Sequence, residues 1–167
     1  SILWLLPKVH GLLAGPKVFA ASVYDGTDYV FNAADARLVL VNANLPYTAE
    51  PAPLLDTADE VTGQQLEAEA AMQYRSMAAA AQADGVSLNT PEHTSLDEGF
   101  ENTAAFRWLC QHAVEYGFIL RYPQDRQAAT GIVFEPWHWR YVGVENALVI
   151  RASGLSLEEF IALQRAD

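Results

Sequence analysis

The feature that most constrains the fold is a stretch without glycine or proline that runs from residue 64 to residue 83. Ala, Gln, Glu and Met dominate it, and these are good helix formers. Asp84-Gly85 follows, and glycine is the usual residue just beyond a helix C-terminus. The pattern predicts a helix over about 60–83.

A second helix is predicted over about 103–116, with Gly117 as its stop. The apolar residues of its buried face recur at helical spacing: Ala105, Trp108, Leu109 and Ala113. A third, short helix begins at Ser156-Leu-Glu-Glu159, which has the pattern of a capping box.

The remaining apolar runs are short and predict strands, separated by an irregular, proline-containing connection over 43–57. The predicted strands are a hairpin over 18–31, then 38–41, a start at 86–88, 118–120, 131–134, 139–142 and 147–151. Strands in hairpin order beside a few helices predict an α+β fold with an antiparallel sheet flanked by helices.

Length and charge exclude several classes of protein. The 167 residues correspond to one ordinary domain, and the formal net charge of −11 gives no basic patch for nucleic acid or anionic lipid. No run approaches the roughly 18–20 apolar residues that cross a bilayer. With a single cysteine, Cys110, any metal ligands must be histidines or carboxylates.

The segment with the clearest chemical potential is Glu135-Pro-Trp-His-Trp-Arg-Tyr-Val-Gly143. Glu135 and His138 lie three residues apart, and Pro136 disfavours an ordinary helix at Glu135. One interpretation is a packed hairpin with a satisfied histidine and an exposed glutamate. The other is a zinc-ligating imidazole beside a carboxylate that acts as general base.

The other histidines are weaker candidates. His93 and Asp97 are an imidazole and a carboxylate in a polar stretch, which is either half of a metal site or an ordinary surface loop. His112 is predicted to face solvent from the second helix, away from Trp108. His10 lies in a turn-rich start and carries no information.

Together these segments resemble the VanY-type D-alanyl-D-alanine carboxypeptidases, a family of zinc metallopeptidases of bacterial cell-wall metabolism. The resemblance rests on the order and spacing of four segments, and it extends more weakly to about Arg37. The four are 108–123, Thr130-Gly-Ile, Glu135 to Gly143, and Leu155-Ser-Leu-Glu-Glu-Phe160.

The resemblance implies a fold of the Hedgehog/DD-peptidase type, with zinc in a cleft across the sheet. Carried over by position, His138 and His93 are expected to ligate zinc and Glu135 to be the catalytic base. Asp97 is the available carboxylate ligand, although His93 and Asp97 are four residues apart where the family has seven.

One element of the family pattern is missing between Leu88 and His93. The family has a Ser-Gly-Tyr-Arg-Ser element there, whose arginine holds the substrate carboxylate. Either the chain has lost this pocket and a zinc ligand, or the intact protein contains further residues here. The cations available for the carboxylate are Arg140, Arg121 and Arg75, and the residues do not decide among them.

The leading hypothesis is a zinc-dependent carboxypeptidase that removes the terminal D-alanine from peptidoglycan stem peptides, with D,D or L,D specificity open. The alternatives are a degenerate member that binds cell-wall peptide or a protein partner without hydrolysis, and a domain whose signature serves packing alone. The resemblance implies a bacterial, extracytoplasmic location, with a membrane anchor conceivable outside this sequence. Residues 1–36 are predicted to be an accessory segment, and 37–167 the carboxypeptidase-like domain.

Overall fold

The computed structural model describes residues 36–38, 54–60, 62–88 and 99–164. This part of the chain contains both helices and strands. They are β1 (Leu55–Asp59), β2 (Gln64–Glu67), α1 (Ala68–Ala83), α2 (Ala104–His112), β3 (Phe118–Leu120), α3 (Gln127–Thr130), β4 (Trp139–Tyr141), α4 (Val144–Ser153) and α5 (Leu157–Gln164). The strands form two antiparallel pairs, β1–β2 and β3–β4, so the predicted α+β class is confirmed.

The first helix begins later than predicted, because residues 64–67 form a strand. Gly63, with φ of +69°, turns the chain back, and its N–H donates to the Asp59 carbonyl at 2.9 Å. The Glu67 carboxylate then caps α1 by accepting from the N–H groups of Glu69 and Ala70 at 3.2 and 3.3 Å. The prediction of helix over residues 64–67 was therefore wrong, since pairing with β1 overrides helix propensity. The predicted irregular connection was wrong at residues 55–57, and its residues 43–53 lie outside the described residues.

The two predicted helix stops are confirmed. Gly85 and Gly117 have φ of +76° and +84°, the left-handed region that glycine enters without strain. A 3₁₀ turn, Ala113–Tyr116, extends α2 to Gly117. The predicted buried face is also confirmed, since its members are at most 7% exposed: Ala105, Trp108, Leu109 and Ala113.

Strands β3 and β4 confirm two of the predicted strands and form the pair that leads into the predicted site. Ile119 lies opposite Arg140, and the Val142 N–H extends the ladder by donating to the Gly117 carbonyl at 2.9 Å. Because side chains alternate across a strand, the two faces of this pair contact different clusters of apolar residues.

One cluster lies on the Ile119 and Val142 face and draws on α4 and α5; its members are Leu38, Val114, Ile119, Val142, Ala147, Val149, Ile150, Leu157, Phe160 and Ile161. The other lies on the Phe118 face and draws on α1 and α2; its members are Met77, Ala81, Trp108, Leu109, Ala113 and Phe118. The short pair is thus covered on both sides, as in an α+β fold.

Three strand predictions were wrong. Residues 86–88 and 131–134 form no strand, and residues 147–151 lie inside helix α4. A short apolar run is compatible with either a strand or a buried helix, and the glycines that flank α4 at 143 and 154 leave room for a ten-residue helix. Leu38 ends a 3₁₀ turn, Ala36–Leu38, rather than beginning a strand.

The C-terminal helix confirms its capping box. The Ser156 hydroxyl accepts from the Glu159 N–H at 3.2 Å, and the Glu159 carboxylate accepts from the Ser156 N–H at 2.7 Å. The predicted hairpin over 18–31 and residues 39–41 lie outside the described residues. No helix in the described part of the chain is long and apolar enough to cross a membrane.

Candidate active site

Glu135 and His138 lie on a tight turn that one backbone hydrogen bond closes and two others hold to the residues just after β3. The Glu135 N–H donates to the Tyr122 carbonyl at 3.2 Å, and the His138 N–H donates to the Glu135 carbonyl at 3.1 Å. The Arg121 N–H donates to the His138 carbonyl at 2.8 Å. The indole N–H of Trp139 donates to the Pro136 carbonyl at 3.0 Å, so a side chain also stabilises the turn.

The two side chains of this turn contact each other. His138 Nδ1 lies 3.0 Å from Glu135 Oε2, and the side chains are 45% and 24% exposed, respectively. The tautomer of the ring decides which nitrogen donates. In the tautomer that donates through Nδ1, the lone pair lies on Nε2, and that nitrogen is able to bind a metal.

Tyr122 supports the histidine ring. The Tyr122 and His138 ring centroids are 4.9 Å apart, with the planes at 87°, an edge-to-face contact. Tyr122 is only 6% exposed, so its ring is a fixed surface. The sequence contains no sign of this contact, because Tyr122 lies sixteen residues before His138.

The remaining residues of the signature have packing roles. Trp139 and Tyr141 pack against the Phe118 cluster, and Val142 is completely buried in the other cluster. The Tyr141 hydroxyl donates to Glu69 Oε1 at 2.7 Å. Burial and the Glu69 carboxylate raise the pKa of Tyr141 well above its ordinary value.

Gly143 ends the signature where no side chain fits. A Cβ on Gly143 would lie 2.7 Å from Arg37 Nη1, and its φ is +82°. The same Nη1 lies 3.7 Å from Glu69 Oε1, which brings the first described residues to the back of the signature.

The two other predicted zinc ligands, His93 and Asp97, lie outside the described residues. Within the described ranges, no three or more His, Cys, Asp or Glu residues come together as a metal site. A half-exposed imidazole beside a carboxylate nevertheless has the donor chemistry that zinc takes. Among the described residues, His138 therefore has the chemistry of a zinc ligand, and Glu135 that of a base beside it.

The three candidate cations differ sharply in their surroundings. Arg121 is 3% exposed and forms a bidentate pair with Glu158, so it is not available as the substrate cation. Arg75 is exposed and donates to the Asp56 carboxylate at 3.0 Å. Arg140 is half-buried, its Nη2 lies 3.5 Å from the Arg37 carbonyl, and it follows His138 by two residues, on the same strand face.

His112 differs from its prediction. Its ring lies against Trp108, with centroids 4.7 Å apart, and Nδ1 lies 3.4 Å from Glu115 Oε1. The predicted position away from Trp108 was wrong, because residues four apart lie on the same face of a helix.

The family model that matches the chain is described as VanY, D-alanyl-D-alanine carboxypeptidase, and it covers residues 88–144. That range contains both Glu135 and His138. The chain is related to the VanY-type carboxypeptidases. The resemblance read from the sequence is thereby confirmed.

Two curated relatives match part of the chain. A bifunctional D-Ala-D-Ala dipeptidase and D-Ala-D-Ala carboxypeptidase, VanXYC of Enterococcus gallinarum, is 51% identical over 61 residues, which are 36% of this chain and 32% of the relative. A D-alanyl-D-alanine carboxypeptidase of Enterococcus faecalis is 43% identical over 70 residues, 41% of this chain and 26% of the relative. The match thus spans a third or less of these relatives' length.

The structural likeness covers more of the chain. VanYB in complex with D-Ala-D-Ala superimposes with a TM-score of 0.60 at 26% identity, covering 75% of this chain and 97% of VanYB. A VanY D,D-pentapeptidase mutant in complex with Zn(II) gives a TM-score of 0.61 at 27% identity, covering 75% and 98%. These likenesses confirm the fold that the resemblance implied.

Proposed function

We propose that the chain is a zinc-dependent carboxypeptidase that removes the terminal D-alanine from peptidoglycan stem peptides. One observation supports this function above all: Glu135 and His138 form a 3.0 Å contact on a turn held at three backbone positions. The pair lies inside the range that matches the VanY model, and one similar structure holds Zn(II) while another holds D-Ala-D-Ala.

His138 is the proposed zinc ligand among the described residues, with His93 and Asp97 as proposed partners from the sequence. When bound, zinc supplies a Lewis acid that polarises a carbonyl and lowers the pKa of water. His138 is suited to this role because its Nδ1–H is held by Glu135, which fixes the tautomer and the ring orientation.

Glu135 is the proposed general base. Its Oε2 accepts the His138 N–H, and Oε1 is the oxygen that takes the proton of the attacking water. Because the carboxylate is 24% exposed, it is partly desolvated and still reachable by substrate. The proton then passes from Glu135 to the amine of the departing D-alanine, so the carboxylate is regenerated.

The substrate implies where the protein acts. Peptidoglycan stem peptides lie outside the cytoplasmic membrane, so we place the activity in the cell envelope or the surrounding medium. Any anchor would belong to residues outside the described ranges. We also propose 37–167 as the catalytic domain, since Arg37 and Leu38 already contact its core.

The function can be tested with metal content and product release together. The wild-type chain is expected to hold one equivalent of zinc and to release D-alanine from a stem pentapeptide or tetrapeptide. The His138→Asn variant should lose most of the zinc, and D-alanine release should fall at least about 100-fold. Comparing the two peptides separates D,D from L,D cleavage.

The matched control is His112→Asn, which alters the other described histidine that contacts a glutamate. This variant should keep both zinc and activity. A wild-type chain that binds stem peptide without zinc or hydrolysis would favour the non-catalytic alternative. A His138→Asn variant that loses only thermal stability, with unchanged metal content, would reduce the signature to packing.

A further inference from the structure

The described residues contain one fully buried ion pair, Arg121 with Glu158. Arg121 Nη1 lies 2.9 Å from Glu158 Oε2, and Nη2 lies 2.5 Å from Oε1, so the pair is bidentate. The side chains are 4% and 3% exposed. Glu158 lies in the first turn of α5, 37 residues after the arginine that it binds.

Stability alone is a poor explanation for this pair. Moving two charges out of water is costly, and Coulomb attraction offsets that cost only with excellent geometry. Well-packed apolar residues of similar volume are often as stabilising as a buried ion pair, or more so. A fixed orientation is something that the bidentate fork supplies and an apolar contact does not.

The groups attached to Arg121 are the supports of the candidate site. Its backbone N–H binds the His138 carbonyl, and its guanidinium lies over the Tyr122 ring, 4.5 Å from the centroid. Tyr122 in turn contacts the His138 ring edge-to-face and accepts the Glu135 N–H on its carbonyl. Arg121, Tyr122 and Glu158, which form this chain of contacts up to the histidine, are all buried.

We propose that the Arg121–Glu158 ion pair is a positioning device that links helix α5 to the Glu135–His138 pair through Tyr122. Neither charge reaches the substrate; the pair fixes the Tyr122 ring, and that ring fixes the imidazole. The kinetic part of the inference rests on the proposed function, whereas the structural part does not. It assigns the C-terminal helix a role in the chemistry as well as in the core.

The decisive variant replaces the ion pair by apolar residues, Arg121→Met with Glu158→Leu, so that folding is retained without the fork. We expect thermal stability to stay near that of the wild type. The kcat for D-alanine release should fall about 10-fold or more with little change in KM, and zinc affinity in chelator competition should fall about 10- to 100-fold.

A second ion pair on the same two segments provides the control. Arg126 Nε lies 3.6 Å from Glu159 Oε2, one residue along α5. The described contacts of Arg126 go to Glu159, Gly154 and Asp125, which lie outside the site turn. The Arg126→Met, Glu159→Leu variant should lower stability, because Glu159 also caps Ser156, while kcat and zinc affinity stay within twofold of wild type.

A spectroscopic measurement keeps the inference independent of activity. In the zinc-free protein at one alkaline pH, the His138 ring-proton resonances carry the ring-current shift of Tyr122; His138→Asn identifies them and Tyr122→Leu removes the shift. The apolar double variant should move these resonances toward their Tyr122→Leu positions. If the double variant does not fold, the milder Glu158→Gln variant should show the same movement to a smaller extent.

Unchanged kcat, zinc affinity and His138 resonances in a folded double variant would overturn the proposal. A wild-type chain without zinc or hydrolysis would instead overturn the proposed function, and the resonance shift would still decide whether the ion pair positions the histidine.

Discussion

The molecule contains two Glu–His pairs separated by three residues, and they differ in what holds them. His112 and Glu115 lie 3.4 Å apart at the end of helix α2, and their side chains are 36% and 57% exposed. Glu135 and His138 lie 3.0 Å apart on a turn, with the glutamate only 24% exposed. The histidines are similarly accessible, so the difference lies in the glutamate and its support.

The surroundings explain that difference. The first pair belongs to a continuous helical segment, where such spacing brings side chains together without further help. The second requires an interrupted backbone, bound to Arg121 and Tyr122 and closed by the Trp139 indole. Residue type and spacing alone therefore do not separate the proposed catalytic pair from the other one; the fixed backbone and the sheltered carboxylate do.

The largest effect is expected when the glutamate of each pair is replaced. Glu135→Gln should lower kcat for D-alanine release by about 10²- to 10⁴-fold, the usual contribution of a general base. Glu115→Gln should leave kcat within twofold, because its carboxylate contacts only His112. Steady-state kinetics on both variants measure this, and equal losses would remove the functional distinction between the pairs.

The next effect concerns two glycines near the pairs: Gly117, which follows His112–Glu115, and Gly131, which precedes Glu135–His138. In Gly117→Ala, a Cβ would lie 2.7 Å from Tyr141 Cε2 and 2.9 Å from the Gly143 backbone. We expect a loss of about 2–5 kcal/mol in the free energy of unfolding, combining left-handed strain with overpacking.

Gly131→Ala is the matched control, since its φ is +71° and nothing lies within 4 Å of the added Cβ. It should cost only about 1–2 kcal/mol, the strain term alone. Urea unfolding of both variants gives the comparison. Similar losses at the two positions would mean that the Tyr141 ring and the nearby backbone move aside at little cost.

A smaller effect is expected at two indoles that donate hydrogen bonds. Trp108→Phe removes the hydrogen bond from the indole to Asp84 Oδ2 at 2.8 Å, and Trp139→Phe removes the one to the Pro136 carbonyl. Each should lower stability by about 1 kcal/mol. Only the Trp139 variant should also lower kcat, by several-fold, because its partner belongs to the site turn. Paired melting and kinetic measurements would reveal an effect of Trp108 on kcat that contradicts this.

The smallest effect is confined to alkaline pH. Burial and the Glu69 carboxylate raise the pKa of Tyr141 above that of the unfolded chain, so the native state holds this proton longer. Stability should therefore fall as pH rises above about 10, the unfolded tyrosine pKa.

Tyr141→Phe should flatten this alkaline decline, with little change in its slope near neutral pH. Denaturation at a series of pH values tests the sign, and tyrosinate absorbance follows the titration itself. Tyr116 is the control ring, since it is half-buried and lies outside the site strand.

The sequence predicted the features that local chemistry determines. Helix ends at Gly85 and Gly117, the cap at Ser156 and the buried face of α2 follow from residues within a turn of one another. The hairpin before α1 was missed because its residues have good helix propensity and only the pairing of β1 with β2 reveals it. The strand predicted over 147–151 was wrong because a short apolar run occurs in buried helices as well as in strands.

The same limit applies to the site. Glu135 and His138 could be found because they lie close together in an unusual motif with a proline between them. Tyr122 and Glu158 could not, since they reach the site through contacts between residues far apart in the chain. Arg121 was considered as a substrate cation because it is charged and near the motif; its burial against Glu158 became visible only in three dimensions.

The alternation of faces along residues 139–142 has a consequence for how this segment can vary. Arg140 and Val142 face one way, and Trp139 and Tyr141 the other, so each face already has its own neighbours. Inserting or deleting a single residue here would exchange the two faces and turn the aromatic rings toward the cluster that contains Val142. The spacing of the segment is therefore harder to change than any one of its side chains.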